Sequence, residues 1–207
     1  MLNPLRFLPA AFVGLISLSG VSFAAESPAP PTVRNGAIVL ENTACRLEIG
    51  ADGKHRALVN LADGKDYGEP GQPFMVAGRG QQTWASSKVE LAGQILTVSF
   101  APGSLQVKAK VEVRPRYFTL SIESVSDPGI DWLQLCNLRV KPSEHVGALV
   151  NAAWDNHFAA CVLALNDRTD CGSHGVPTAR AYREFGIEGA KVAIVGVPTG
   201  GPDPSIK

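Results

Sequence analysis

The sequence has few cysteines, few aromatic residues and no excess of charge of either sign. Among its 207 residues are four cysteines, aromatic side chains make up 7%, and 19 Lys and Arg balance 19 Asp and Glu. A near-neutral chain without basic clusters is not expected to bind nucleic acid or to attach to acidic membranes by charge. We also expect no membrane span in the mature chain, and no cofactor.

The first 24 residues have the pattern of a secretory signal peptide. Arg6 supplies a positive start, residues 7–21 are apolar, and Ser22-Phe23-Ala24 places small residues before a cleavage site. A transmembrane anchor is the alternative, but this run is shorter than the ~20 residues that a spanning helix needs. Cleavage after Ala24 predicts an exported protein, located in the periplasm, on the cell surface or in the medium.

The four cysteines leave two interpretations open. In an oxidising compartment an even number of cysteines favours disulfides. A bond between Cys161 and Cys171 would close a short loop and is the candidate pair. Cys45, Cys136 and Cys161 lie inside apolar runs, where buried free thiols are equally compatible with the pattern.

The remaining chain divides into three parts. Residues 25–32 form a Pro-rich spacer, which should be extended. Residues 33–198 carry the strand pattern of one domain. Residues 199–207 read as a linker, and Asp203-Pro204 resembles the start of a helix, which predicts that a further domain follows.

The pattern of the domain is that of antiparallel β-structure. Between residues 105 and 114, five apolar residues alternate with five polar ones, as in a strand with one buried face. Neighbouring strands at 95–100 and 118–125 are joined to it by short turns, and Asp52-Gly53 and Asp63-Gly64 mark hairpins. Residues 179–185 are compatible with a short helix or an edge strand. We predict an all-β antiparallel sandwich, supersandwich-like, with at most one short helix.

The segment Trp154-Asp155-Asn156-His157 is the strongest candidate for a binding site. It lies between two apolar strands, where a loop can present polar groups from a rigid scaffold. An indole such as that of Trp154 can stack on the apolar face of a sugar ring, and the next three side chains can bond its hydroxyl groups. The alternative is a structural loop, with Trp154 covering the end of the core.

A second polar cluster comprises Asn166, Asp167, Arg168, Asp170, Cys171 and His174. Its oxygen donors match no fixed calcium-loop spacing, and its Cys and His residues do not form the pairs of a zinc site. We interpret it as a solvated loop and predict no metal site. There is no Gly-x-Ser-x-Gly motif and no phosphate-binding glycine loop, so no catalytic residue is assigned.

Several short segments resemble the N-terminal β-sandwich domain, described as galactose-mutarotase-like or a supersandwich, of large bacterial glycoside hydrolase-like proteins. They are 37–42, 61–67, 154–159 with 164–166, and 185–191 leading into 192–198, so the resemblance covers roughly residues 33–200. The resemblance implies that a catalytic domain follows the sandwich. The paired His and acidic base of mutarotases match none of His55, His145, His157 and His174.

These observations favour a non-catalytic, carbohydrate-binding accessory domain of an exported glycoside hydrolase-like protein. Its expected partners are a glycan and a following catalytic domain. The alternatives are a small carbohydrate-active enzyme of mutarotase or lyase type, and a structural envelope module.

Overall fold

The computed structural model describes residues 29–141, 145–147, 149–172 and 176–199. The predicted signal peptide, most of the spacer, and the linker beyond Thr199 lie outside these residues. Within them are sixteen strands and one 3₁₀ turn. The strands are β1 (Thr32–Arg34), β2 (Ala37–Glu41), β3 (Cys45–Gly50), β4 (His55–Asn60), β5 (Val76–Arg79), β6 (Gln82–Ala92), β7 (Ile95–Ala101), β8 (Gln106–Val113), β9 (Phe118–Val125), β10 (Trp132–Asn137), β11 (His145–Gly147), β12 (Ala152–Trp154), β13 (Phe158–Ala164), β14 (Thr169–Cys171), β15 (Thr178–Tyr182) and β16 (Lys191–Pro198).

Strands β1 to β4 form a four-stranded antiparallel sheet in chain order. In β3 the side chains of Cys45, Leu47 and Ile49 are fully buried and alternate with partly exposed ones, because successive residues of a strand face opposite sides. The turn between β3 and β4 needs a left-handed residue, and Gly53 supplies it at φ 74°. The predicted Asp52-Gly53 hairpin is therefore confirmed.

The other twelve strands form one antiparallel sheet in the order β11-β12-β13-β16-β9-β8-β7-β6-β5-β10-β15-β14. The predicted meander is its centre, where β7, β8 and β9 pair with their sequence neighbours. Val107, Ala109 and Val111 of β8 are buried, and the intervening Gln106 and Lys108 are exposed. The predicted all-β antiparallel class is confirmed.

The twelve-stranded sheet curls until its two ends meet. Strand β13, near one end, lies against β14 and β15 at the other. We call the contact of β13 with β14 and β15 the seam of the sheet. Asn151 bonds across it, because its amide nitrogen donates to the carbonyl oxygens of Val162 in β13 and Thr178 in β15, at 2.7 Å each. One continuous apolar core joins this sheet to the four-stranded sheet, as in a sandwich.

Two details differ from the sequence expectation. Strand β6, the longest, has no clear alternation of apolar residues, so the sequence pattern does not predict it. The segment 179–185, compatible in sequence with a short helix or an edge strand, contains the end of β15 and then a single 3₁₀ turn over Arg183–Phe185. Strand β15 is paired on both sides, with β10 and β14, so the edge-strand interpretation is wrong about its position in the sheet. That turn is the only helical element of the described residues. None of their helices has the length and apolar character of a membrane span.

Candidate functional site

Trp154 is the last residue of β12, near one edge of the twelve-stranded sheet. It pairs with His145 of the edge strand β11 on one side and with Ala159 of β13 on the other. The indole is half-buried, and the His145 ring lies beside it with centroids 5.5 Å apart. Gly147 permits this packing, because a Cβ there would come within 3.1 Å of the indole Cζ3. The predicted sugar-stacking side chain thus presents part of its surface to solvent.

Asp155 organises the turn between β12 and β13. One carboxylate oxygen accepts hydrogen bonds from the backbone N–H groups of His157 at 2.7 Å and Phe158 at 2.8 Å. Burial would raise the pKa of Asp155, but these two hydrogen bonds outweigh it and the pKa is lowered. Thr199 adds a further restraint, donating from its hydroxyl to the Asp155 carbonyl and from its N–H to the His157 carbonyl.

Asn156 and His157 form the tip of this turn. Both side chains are exposed, whereas the backbone beneath them is held by Asp155 and Thr199. The next residue, Phe158, is fully buried and stacks on Tyr67 at 4.7 Å between ring centroids. The tip therefore presents an amide and an imidazole from a backbone that is anchored to the core. Of the four predicted residues, Trp154 thus offers an aromatic surface and Asp155 holds the turn. The other two, Asn156 and His157, expose polar groups.

Charged groups from the loop that follows β4 lie near this turn. Lys65 is placed over the Tyr67 ring at 4.6 Å from its centroid, and the Tyr67 hydroxyl donates to Asp63 at 3.3 Å. Burial, followed by the nearby carboxylates of Asp63 and Asp155, raises the pKa of the Tyr67 phenol. The phenol is therefore a neutral donor at physiological pH, and it links the Asp63-Gly64 turn to the packing under Phe158.

The predicted Cys161–Cys171 disulfide is not formed in the structure, in which all four cysteines are free thiols. Burial, with a smaller contribution from Asp170, raises the pKa of Cys171 to about 11. Burial also raises the pKa of Cys161. Since the thiolate is the species that forms disulfides, both thiols are poorly activated in this fold.

The second polar cluster is used in loop structure. Asn166 donates from its amide to the Gly189 carbonyl, and Thr169 bonds both Asn166 and Lys191. The part of the chain that the structure describes contains no group of three or more His, Cys, Asp or Glu placed to hold a metal ion. His174, a member of this cluster, lies outside the described residues.

A cleft that the sequence did not predict lies at the opposite end of the sandwich from the Trp154 turn. Its volume is about 350 Å³. It is lined by Val125, Pro128, Ile130, Arg168, Arg183, Gly186, Ile187 and Glu188. These residues come from the segments before β10, before β14 and after β15, which are distant in sequence. The pairing of β15 with β10 and β14, and of β9 with β16, brings them together.

Two arginines fix the loop at the mouth of this cleft. Arg79 and Arg183 both donate to the Gly129 carbonyl, at 2.6 and 3.2 Å. Arg79 also pairs with Asp127, and Arg183 pairs with Asp131 at 2.9 Å. The Gly129 backbone hydrogen bond and then Arg79 lower the pKa of Asp127. The loop of residues 127–131 is therefore held in one conformation by ion pairs and shared carbonyl contacts.

No family model matches the chain, and no curated protein sequence matches it. Among solved structures it is similar to the crystal structure of an active YidC insertase with the first transmembrane domain resolved. The TM-score is 0.42 and the identity 15%, over 84% of this chain and 42% of that chain. The chain thus spans less than half of that protein, and a likeness of this size carries no argument about fold or function.

Proposed function

We propose that this chain is a non-catalytic, carbohydrate-binding domain of an exported protein. The observation that carries the proposal is the Trp154 turn, where a half-buried indole adjoins exposed Asn156 and His157 on an anchored backbone. Sugar rings offer C–H faces to aromatic rings and hydroxyl groups to polar side chains. A backbone already fixed by Asp155 and Thr199 lowers the ordering cost of binding such a ligand.

The exported location and the glycoside hydrolase-like parent protein are part of the same proposal. They are supported by the signal-peptide pattern of residues 1–24 and by the resemblance of residues 33–200 to the sandwich domain of such proteins. The chain leaves β16 at Thr199, directly beside the Trp154 turn. The predicted linker thus starts beside the proposed sugar contacts, and in this proposal a following domain supplies a second wall of the glycan site.

The test is affinity electrophoresis of residues 25–207 in gels that contain neutral or acidic polysaccharides. Retardation of the parent, lost in Trp154→Ala and reduced in His157→Ala, would support the proposal. Trp132→Ala is the matched control, because Trp132 is also half-buried on a strand but lies at the other end of the sandwich. Equal mobility of the parent and Trp154→Ala in every gel would refute it. Turnover of a sugar panel by the same protein would favour the mutarotase-type or lyase-type enzyme.

A second candidate function is a structural or docking module of the envelope. It is favoured by the hairpin of β11 and β12, where Val146 is 41%, Val150 57% and Leu149 102% exposed. Such a group of large apolar side chains at a sheet edge is unusual for a free surface and is typical of a protein contact. Leu149→Lys should remove binding to a partner domain and leave polysaccharide binding unchanged. Trp154→Ala should have the opposite effect: it should remove polysaccharide binding and leave binding to the partner domain unchanged.

A further inference from the structure

A second cleft adjoins the loop of residues 127–131 and shares Ile130 with the first. Its volume is about 330 Å³, at the small end of the roughly 300–1,000 Å³ that small-ligand pockets occupy. The lining combines one aromatic side chain with aliphatic groups, two hydroxyl groups and one carboxylate. It consists of Trp84, Pro102, Gly103, Ser104, Leu105, Ser126, Asp127 and Ile130.

Trp84 is the aromatic wall of this cleft. It lies in β6, where it pairs with Ala77 of β5, and its indole is half-buried against the core. The Arg79 guanidinium lies over the indole, 5.9 Å from the ring centroid, and it also pairs with Asp127. Arg79 therefore holds the indole and the carboxylate relative to each other. A wall that is already fixed lowers the ordering cost of binding a ligand.

The polar groups of the lining keep hydrogen-bonding capacity. Ser126 accepts from the Gln106 N–H at 2.8 Å, and its own proton bonds no group of the described residues. Ser104 is exposed, and a hydroxyl both donates and accepts. Asp127 accepts from one backbone N–H and from Arg79, so lone pairs remain on both carboxylate oxygens. A ligand in this cleft can therefore both donate and accept hydrogen bonds.

The charges around the cleft favour a neutral ligand. Within the described residues, Asp127 is the one charged group of the lining, and Arg79 neutralises it from outside the lining. An anion would meet this carboxylate without a free cation, and a cation would compete with Arg79 for the same oxygen atoms. A neutral sugar ring can stack its C–H face on an indole and bond serine and carboxylate oxygens with its hydroxyl groups.

From this geometry we infer that the cleft binds a neutral mono- or disaccharide, with Trp84 against one face of a sugar ring. The hydroxyl groups of that ring bond to Ser104, Ser126 and Asp127. This site shares no residue with the Trp154 turn and adjoins the cleft at the opposite end of the sandwich. The inference goes beyond the proposed function, in which Trp154 contacts a polysaccharide, because it depends on a separate set of residues.

The experiment is an amide NMR titration of residues 25–207 with three neutral disaccharides, cellobiose, maltose and lactose. At least one of them should shift the amide signals of Ser104, Ser126 and Asp127. Trp84→Ala should weaken that binding about tenfold, because the sugar ring loses its stacking surface. The absence of shifts at these three amides with every sugar would overturn the inference.

Trp132→Ala is the matched control for the tryptophan variant. Trp132 pairs with Gly78 of β5, and Trp84 pairs with the preceding residue, Ala77. Since successive residues of a strand face opposite sides, the two indoles lie on opposite faces of the sheet. Trp132→Ala should bind the sugar normally. A loss equal to that of Trp84→Ala would assign the effect to the sheet and not to the cleft.

Ser104→Ala guards against misfolding of the tryptophan variant, because an exposed hydroxyl can be removed without opening the core. It should weaken sugar binding several-fold and leave the melting temperature unchanged. Equal affinity of the parent, Ser104→Ala and Trp84→Ala would contradict the inference. Tighter binding of glucosamine, a cation, or of glucuronate, an anion, than of glucose would refute the neutral ligand class.

Trp154→Ala distinguishes this site from the proposed function. The variant should keep the disaccharide shifts at Ser104 and Ser126, although it loses retardation by polysaccharide. Shifts that are confined to Asn156 and His157, and are lost in Trp154→Ala, would leave the proposed function standing and refute this inference. Shifts at the two serines with no effect of Trp154→Ala on polysaccharide binding would refute the proposed function and support the cleft.

Discussion

Asn151 closes the seam of the curled sheet with a single side chain. It is 2% exposed, its amide donates to carbonyl oxygens on β13 and β15, and its own oxygen accepts from the Thr178 N–H at 3.2 Å. Its φ of 48° is a left-handed conformation that asparagine adopts more readily than most residues. Asparagine therefore meets both requirements of this position: it adopts the left-handed backbone conformation, and its side-chain amide both donates and accepts hydrogen bonds.

We expect Asn151→Ala to lower the free energy of unfolding by about 3 kcal/mol, because three buried backbone groups lose their partner. The measurement is urea unfolding followed by tryptophan fluorescence. Asn35→Ala is the matched control, since Asn35 has a similar φ of 51° but lies in an exposed turn. Its variant carries the same backbone strain without the buried hydrogen bonds. If both variants lose equal stability, the seam is held by packing and not by the Asn151 amide.

His55 is a buried imidazole that must be neutral in the fold. It is fully buried, its Nδ1–H donates to the Glu69 carbonyl at 3.1 Å, and Nε2 has no partner among the described residues. Burial lowers the pKa of His55, although the Glu69 hydrogen bond and the carboxylates of Asp66 and Glu69 oppose this shift. A proton on Nε2 would place an unpaired N–H in the core.

The stability should therefore fall as the pH drops below the ordinary histidine pKa near 6.5. In that range the unfolded chain binds a proton that the native chain excludes, so the free energy of unfolding decreases, by at most about 1.4 kcal/mol per pH unit. Urea titrations at pH 7.5 and 5.5 should show this loss in the parent and in His157→Gln, whose histidine is exposed. His55→Gln should reduce the slope. An unchanged slope in that variant would assign the acid sensitivity to other groups.

At the scale of the element, the β12–β13 turn depends on the Asp155 carboxylate. Asp155→Ala removes the acceptor of two backbone N–H groups and should cost about 1–2 kcal/mol, whereas Asp155→Asn keeps an acceptor oxygen and should cost less. Asp167→Ala, at an exposed aspartate in another loop, should stay within about 0.5 kcal/mol of the parent. Thermal unfolding of the three variants checks this order. A cost for Asp167→Ala equal to that of Asp155→Ala would contradict it.

A strand could be predicted from the sequence only where the side chains of its buried face were all apolar. Strand β8 could be read directly, because Val107, Ala109 and Val111 mark its inner face without interruption. Strand β6 could not. A bulge between Ser86 and Lys88 shifts its register, and the buried Ser86 is polar. Ser86 is accommodated by donating to the Gly53 carbonyl and accepting from the Met75 N–H, contacts that no local pattern reveals.

The same distinction applies to the two candidate sites at the scale of the whole molecule. The Trp154 turn is contiguous in sequence, so its residues could be named before the fold was known. The cleft that Arg168 and Arg183 line joins segments that are distant in sequence, and these meet because their strands are neighbours in the sheet. A charge count over the whole chain is balanced and does not show which charged groups the fold brings together.

Phe158 connects the two sheets, and it tests whether the molecule unfolds as one unit. The ring is fully buried, stacks on Tyr67 beside the four-stranded sheet, and lies against Gly196 of β16, where a Cβ would come within 2.8 Å of it. Phe158→Ala should cost about 3–5 kcal/mol, because it opens a cavity at this junction. Phe185→Ala, at an exposed ring, should change stability by less than about 0.5 kcal/mol.

Because one apolar core spans both sheets, Phe158→Ala should lower the midpoint of a single transition and not create a second one. Tryptophan fluorescence reports on the twelve-stranded sheet, since Trp84, Trp132 and Trp154 all belong to it, whereas circular dichroism follows both sheets. If the molecule unfolds as one unit, the two methods should give the same midpoint. If fluorescence keeps the parent midpoint while part of the circular dichroism is lost earlier, the four-stranded sheet unfolds separately. The two sheets would then be separate cooperative units, each with its own free energy of unfolding.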